Sequence, residues 1–199
     1  SGWPAVSPDG HTLVVSERTP SDDRTALVMW NTDGTNPRRV YRDDVTVMGL
    51  EWSRDGRWLV FGAGSFFGQR TTKPSQIMIM RPDGSDAYAV TKGSANAGFP
   101  SWSPDGTEIV YRLWTDNEQG EGLRIVDVAT GESRVLTTDY DTLPLWSPKR
   151  DVIMFTRYAR DERFPYDEFD IYTIRSDRTD LKRLTDAEGN DAHSFWSPD

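Results

Sequence analysis

A five-residue phrase returns along the chain: Val6-Ser7-Pro8-Asp9-Gly10, Trp52-Ser53-Arg54-Asp55-Gly56, Trp102-Ser103-Pro104-Asp105-Gly106, Trp146-Ser147-Pro148-Lys149-Arg150 and Trp196-Ser197-Pro198-Asp199. Its serines recur at intervals of 46, 50, 44 and 50 residues. A repeat of that length is one supersecondary unit, which cannot bury its apolar face alone and must stack on its neighbours. Within the phrase, proline presets φ for a turn, Asp and Ser hydrogen-bond the local backbone, and Gly takes positive φ without a Cβ clash. Each copy therefore reads as a tight antiparallel reversal.

The flanking residues supply the strands. A short run ending in a large aromatic precedes the turn, as in Phe99-Pro100-Ser101-Trp102, and an apolar run follows it, as in Trp58-Leu59-Val60-Phe61 and Glu108-Ile109-Val110-Tyr111. Short β-branched and aromatic runs bounded by turn signals are strands. A third strand follows in each repeat: Leu27 to Trp30, Ile77 to Met80, Leu123 to Val126 and Ile171 to Ile174. It ends at a second turn, seen in Asp33-Gly34, Asp83-Gly84, Gly131 and Ser176-Asp177, and a fourth strand closes the unit at Arg38 to Val40, Tyr88 to Val90, Arg134 to Leu136 and Lys182 to Leu184. Four antiparallel strands per repeat form one propeller blade. The predicted fold is all-β: a β-propeller with four complete blades beginning near residues 1, 48, 98 and 142, and the first strand of a fifth near 192. No linker divides the chain, so residues 1–199 read as one domain.

The pattern of aromatic-Ser-Pro-Asp-Gly, apolar strand, variable loop, Ile-x-x-Met-x-x-Asp-Gly and Arg-x-Leu-Thr resembles the TolB-type repeat, a relative of the WD40 repeat in shape and not in motif. Arg81-Pro82-Asp83-Gly84, Arg183-Leu184-Thr185 and Phe99 to Gly106 carry the resemblance, which runs through the whole chain. Departures stand at Val6 for the aromatic, Arg54 for proline and Lys149-Arg150 for Asp-Gly; the last leaves open only the turn of the fourth blade. The resemblance implies a ring of six to eight blades, so further blades or another chain are expected to complete it. It also implies an exported setting, periplasmic or secreted.

Composition narrows the classes of partner. The net charge is −9, which argues against nucleic acid as the main ligand and against binding to anionic membranes. No apolar run approaches the ~20 residues of a membrane-spanning helix, so no membrane insertion is expected. Eight tryptophans are available to fill the contacts between blades, and the absence of cysteine rules out disulfides and thiolate zinc sites. No Gly-x-Ser-x-Gly nucleophile turn is present, so peptidase chemistry would have to lie outside this chain.

Function is expected on the rim that carries the longer loops, since binding residues favour loops held by a rigid scaffold. The second-blade loop from Gly62 to Arg70 is glycine-rich but lacks the following Gly-Lys-Ser/Thr of a phosphate cradle, and reads as an aromatic loop. The third blade offers Trp114. The fourth is richest, with Arg157, Tyr158 and Arg160 among further acidic and aromatic residues, while Asp139 and Tyr140 lie on the connection leading into that blade. Rings beside guanidinium and carboxylate groups suit stacking and ion pairing with a ligand. Arg157, Arg160, Tyr140, Trp114 and Asp139 are the candidate ligand-binding residues.

His11 follows the first turn and is assigned no role. His193 occupies a place taken in the other repeats by Trp3, Gly49, Phe99 and Leu143, near the mouth of the axial channel. An imidazole there could serve as a general base or metal ligand, and equally as a hydrogen-bonded strand cap. Asp186, Glu188 and Asp191 surround Gly189 with oxygen ligands of the kind calcium takes, but without the spacing of a helical-hand loop. No cofactor or metal centre is otherwise expected. Two readings follow: a scaffold that binds a protein, peptide or glycan at the longer-loop rim and channel mouth, or a carbohydrate-active enzyme such as a polysaccharide lyase with His193 and Tyr158 as its catalytic groups.

Overall fold

The computed structural model describes residues 4–19, 24–43, 45–66, 73–115, 120–159 and 168–197. Among them are sixteen strands in four separate sheets of four. Blade one consists of β1 (Ala5–Val6), β2 (Thr12–Thr19), β3 (Arg24–Asn31) and β4 (Arg38–Asp43). Blade two consists of β5 (Thr46–Trp52), β6 (Leu59–Gly64), β7 (Gln76–Met80) and β8 (Tyr88–Ala89). Blade three holds β9 (Asn96–Trp102), β10 (Glu108–Trp114), β11 (Gly120–Asp127) and β12 (Ser133–Val135), and blade four β13 (Asp141–Trp146), β14 (Ile153–Ala159), β15 (Glu168–Ile174) and β16 (Lys182–Arg183). Every sheet is antiparallel with its strands in chain order.

The recurring phrases do the work their chemistry assigns. In blade three the Ser103 hydroxyl donates to Asp105 Oδ1 at 2.7 Å and accepts from the Glu108 N–H at 2.9 Å, while the Thr107 N–H donates to Asp105 at 3.1 Å. Ser53 and Asp55 repeat this arrangement. Where Lys149-Arg150 replaces Asp-Gly, Ser147 Oγ accepts a 3.4 Å bond from the Lys149 N–H, yet the Ser147 N–H still reaches the Val152 carbonyl at 2.8 Å. The departure thus changes the turn and leaves the hairpin in register. The threonine of the Arg-x-Leu-Thr signature also has a fixed structural role, since Thr91, Thr137 and Thr185 accept from the N–H groups of Ile77, Leu123 and Ile171 at 2.9, 3.0 and 3.0 Å. Each satisfies a third-strand N–H just beyond the end of the short fourth strand, on the residue whose carbonyl accepts from Val90, Leu136 or Leu184.

Stacking the blades buries their apolar faces in three successive cores. Val14, Leu27, Leu59, Phe61 and Met80 meet between blades one and two; Val60, Ile79, Ile109 and Val126 between two and three; Val110, Ile125, Phe155 and Ile174 between three and four. Burying a side chain such as Phe61 contributes about 1.5–3 kcal/mol. Two of the signature tryptophans tie neighbouring blades together by hydrogen bonds, whereas the indole N–H groups of Trp102 and Trp146 are buried without a partner among the described residues. Trp52 Nε1 donates to the Ala5 carbonyl at 3.2 Å, and Trp196 Nε1 to the Leu145 carbonyl at 3.0 Å. The fifth signature therefore lies against blade four as an inner strand would, although residues 191–197 form no ladder of their own.

One backbone feature repeats at a single register position. Gly49, Phe99, Leu143 and His193 have φ of +67°, +54°, +51° and +59°. In blades two to four the pairing of the inner strand shifts at this point, between Met48 and Glu51, between Gly98 and Ser101, and between Thr142 and Leu145. A left-handed residue that interrupts the ladder makes a β-bulge and increases the local twist. The property shared along the repeat is thus backbone conformation, and apolar side chains at the position are incidental to it. Histidine tolerates the left-handed region better than most residues, which gives His193 a conformational reason to stand there.

Candidate functional site

The longer-loop rim gathers its polar groups at the junction of blades three and four. Arg157 on β14 lies opposite Asp141 on β13, directly across the ladder. Its Nε and Nη2 donate to the two Asp141 oxygens at 2.7 and 2.8 Å, and Nη2 also meets Asp139 at 3.0 Å. Asp141 is fully buried, whereas the Asp139 side chain is 61 % exposed. Burial lowers the tendency of Arg157 to stay charged, but hydrogen bonding to Asp141 and the charges of Asp141 and Asp139 outweigh it and hold the guanidinium protonated. Fork-to-fork geometry of this kind fixes orientation as well as charge.

Aromatic rings surround this pair. Tyr140 and Tyr158 meet edge to face with centroids 5.6 Å apart, and Tyr158 continues to Phe169 at 5.5 Å. Both tyrosines are half-buried. Arg157 itself lies over Tyr172 and Phe155 at 5.0 and 5.4 Å. A second buried ion pair supports the outer side of the blade, where fully buried Asp170 accepts from Arg183 Nη2 at 2.7 Å and from the Thr185 hydroxyl at 3.4 Å.

Trp114 reaches the same end of the molecule but is 7 % exposed, in a cluster with Phe66 and Phe99 at 5.7 and 6.1 Å. Two glycines make room for it. A Cβ on Gly98 would stand 2.7 Å from the Phe66 ring and 2.9 Å from Trp114, and one on Gly62 would stand 2.7 Å from Phe66. Met48 and Leu143 pack against the cluster, which thereby joins three inner strands beside the bulge.

Arg112 on β10 is the residue that sequence reasoning passed over. In register it corresponds to Ser16, Gly62 and Thr156, all small and buried, so a long cation is the exception in the repeat. Its guanidinium carbon lies 4.8 Å from the Tyr140 ring and 5.3 Å from Trp114, and Nη1 donates a long 3.4 Å bond to the Thr142 hydroxyl on the next blade. The residue is 7 % exposed, and Nε is buried without a partner. Cation–π contacts contribute about 0.5–2 kcal/mol each, whereas removing an ion from water costs several kcal/mol. Two ring contacts and one weak hydrogen bond leave that cost incompletely offset.

A second group of note lies between the inner strands of blades two and three. Glu51 Oε1 accepts from the Trp102 N–H at 3.2 Å, and Ser101, which also bonds Glu51, accepts from the Trp146 N–H at 3.0 Å. Burial is the dominant influence on this carboxyl and pushes it up to about 7, against the opposing effect of its Ser101 and Trp102 donors. The sequence signal is present but faint: a carboxylate directly before the signature tryptophan, where the other blades have Ala5, Ser101 and Leu145.

Of the residues singled out in the sequence, Arg157, Asp139, Tyr140 and Tyr158 come together, and Trp114 joins them through Arg112. His193 is exposed on the neighbouring inner segment, and His11 is exposed beside the first short turn. Arg160, with residues 161–167 of the same loop, lies outside the described residues. Among the described residues no three histidine or acidic side chains converge as metal ligands, and no helix is long and apolar enough to cross a membrane.

Comparisons with known proteins agree with this architecture. Residues 1–165 match the family described as the TolB beta propeller domain. A protein named TolB homolog from Chlorobium luteolum is 32 % identical over 145 residues, which is 72 % of this chain and 31 % of that protein. The structure of putative TolB from Agrobacterium tumefaciens superposes with a TM-score of 0.70 at 21 % identity, over 95 % of this chain and 63 % of that one. An oligogalacturonate lyase in complex with manganese shares the fold, with a TM-score of 0.69 at 14 % identity over 92 % of this chain and 52 % of its own. The chain thus spans under two thirds of each of these proteins. With four antiparallel blades, the Ser-Pro-Asp-Gly turns and a family match over most of its length, this chain belongs to the TolB β-propeller family.

Proposed function

We propose that this propeller is a binding scaffold that takes a protein or peptide ligand on its longer-loop rim, at the junction of blades three and four. The observation that carries the reading is the convergence there of Arg112, Asp139, Tyr140, Arg157 and Tyr158 from separate strands and connections. Half-buried rings held by buried ion pairs are rigid, amphipathic contact surface of the kind that dominates binding energy. The opposite rim offers less, because its Ser, Asp and backbone groups are already joined to one another in the turns. The lyase reading is less well supported: Arg157, which would have to neutralise a uronate, is engaged by Asp139 and Asp141. Glycan binding at the same rim and an exported setting belong to the proposal through family resemblance.

Peptides displayed on phage and selected on the wild-type protein test the reading, with the footprint mapped by hydrogen exchange. Protection is expected at 139–142 and 157–159, and Tyr158→Ala is expected to weaken binding about 10-fold or more. Protection confined to the short turns at 53–57 and 103–107, or failure to select any peptide, would overturn it.

A further inference from the structure

Among the described residues the guanidinium of Arg112 has no counter-ion. Among the described residues no carboxylate stands within ion-pair distance of it, and its only hydrogen bond is the 3.4 Å contact of Nη1 with Thr142. Nε is buried and unpartnered, and among the described residues Nη2 forms no hydrogen bond and is not one of the buried atoms, so it is the end of the guanidinium that reaches solvent. Nη2 therefore presents the open donors on which a ligand carboxylate can make a charge-assisted hydrogen bond. Arginines elsewhere on the rim are differently placed: Arg157 has Asp141 and Asp139, and Arg183 has Asp170. A buried, permanently charged group without its opposite charge is costly to the free protein, and nothing in the packing of the blade demands it, since Ser16, Gly62 and Thr156 fill the equivalent place in the other blades.

We infer that Arg112, held near the rings of Tyr140 and Trp114, is the receptor for a carboxylate of the bound ligand, which supplies the opposite charge at Nη2. The inference rests on the rim being the ligand site. It favours a peptide carboxylate over a polyuronate: the chain carries a net charge of −9, and Asp139 and Asp141 already stand on this rim, so one carboxylate is attracted where a row of them is repelled. The half-buried ring of Tyr140 beside the guanidinium suits an apolar or aromatic group next to that carboxylate. Arg112 is then a binding residue, and Thr142 and Tyr140 position it.

The test uses N-acetyl-phenylalanine, its amide, and trigalacturonate, each titrated against the wild-type protein, Arg112→Met and Arg112→Lys, with binding read by calorimetry and by the shift in melting temperature. The acid is expected to bind wild type at least 10-fold more tightly than the amide. Arg112→Met should lose that preference while melting at or above the wild-type temperature, because it removes an uncompensated charge. Arg112→Lys should lose most of the preference, since the shorter ammonium side chain does not bring its donors to the place of Nη2, and it decides the matter if Arg112→Met fails to fold. Equal binding of acid and amide to wild type, or a preference that survives in either variant, overturns the inference. Binding of trigalacturonate in place of the acid overturns the peptide assignment. If rim-selected peptides bind irrespective of their carboxylates, the rim remains the ligand site and the role of Arg112 alone falls.

Discussion

Asp141 and Arg157 show how a single pair can anchor a rim. The two meet in a bidentate contact: removing the Arg157 charge strands a fully buried carboxylate, which costs about 3–5 kcal/mol, while removing the Asp141 charge leaves Arg157 with the exposed Asp139 alone and costs less. Arg157→Met is therefore expected to lower the urea midpoint clearly and Asp141→Asn by less, whereas Asp141→Leu combined with Arg157→Met should lose less than Arg157→Met alone; chemical denaturation checks each. Glu51 gives the opposite pH signature to an ordinary carboxylate. Because burial raises it from 4.5 to about 7, the folded state holds the proton more tightly than the unfolded chain between those values. Stability should fall as pH rises through that window, by about 3 kcal/mol at most, and Glu51→Gln should flatten the curve and melt higher at pH 8. Of these residues, Arg157, Asp139, Tyr140 and Tyr158 were legible in the sequence because the repeat register places them on one rim. Arg112 and Glu51 were visible only as exceptions to their repeat positions, and their significance lies in missing partners and burial, which no sequence displays.

The strands themselves were legible for a plain reason: the turn residues are periodic and the runs between them are apolar and short, so both local signals agree. The bulge was not. Gly49, Phe99, Leu143 and His193 share a backbone angle and no side-chain chemistry, and a pattern read in side chains cannot register it. The turns carry their own prediction. The Ser103 hydroxyl first, and then the Thr107 N–H, hold Asp105 below the usual carboxylate range. In Asp55 burial works upward but is outweighed by Ser53 and Arg57, which bring it down to about 2. Groups lowered in this way contribute stability that is complete above their unfolded value of 3.8 and is lost as pH falls through the folded values. Asp105→Asn should thus shrink the loss of stability between pH 5 and about 2, measured by urea midpoints across that range. Packing at the inner end of the blades is equally specific. Gly98→Ala drives a methyl into Phe66 and Trp114, with an expected cost of about 1–3 kcal/mol, and Phe66→Leu in the same chain should recover part of it in thermal melts.

The blades touch in sequence order, with one apolar core at each junction and inner strands β5, β9 and β13 side by side along the axis. Such an array is nearly one-dimensional: its stability is the sum of terms within each repeat and terms between neighbours, so a local defect spreads only as far as the neighbour term carries it. The rim site lies across the junction of blades three and four, which makes that junction both the ligand platform and the place where a defect would be felt first. Asp141→Asn disturbs the inner strand of blade four where it meets blade three through Thr142 and Arg112 and through the Ser101 hydroxyl that receives the Trp146 N–H. Amide exchange in this variant is expected to quicken over 141–158 and 169–174, and to a lesser degree over 108–114 and 123–126, while 47–63 keeps its protection between blades one and two. Uniform quickening over all four blades would show instead that the stack opens as one unit, with junction terms strong enough to bind every blade to the fate of the fourth.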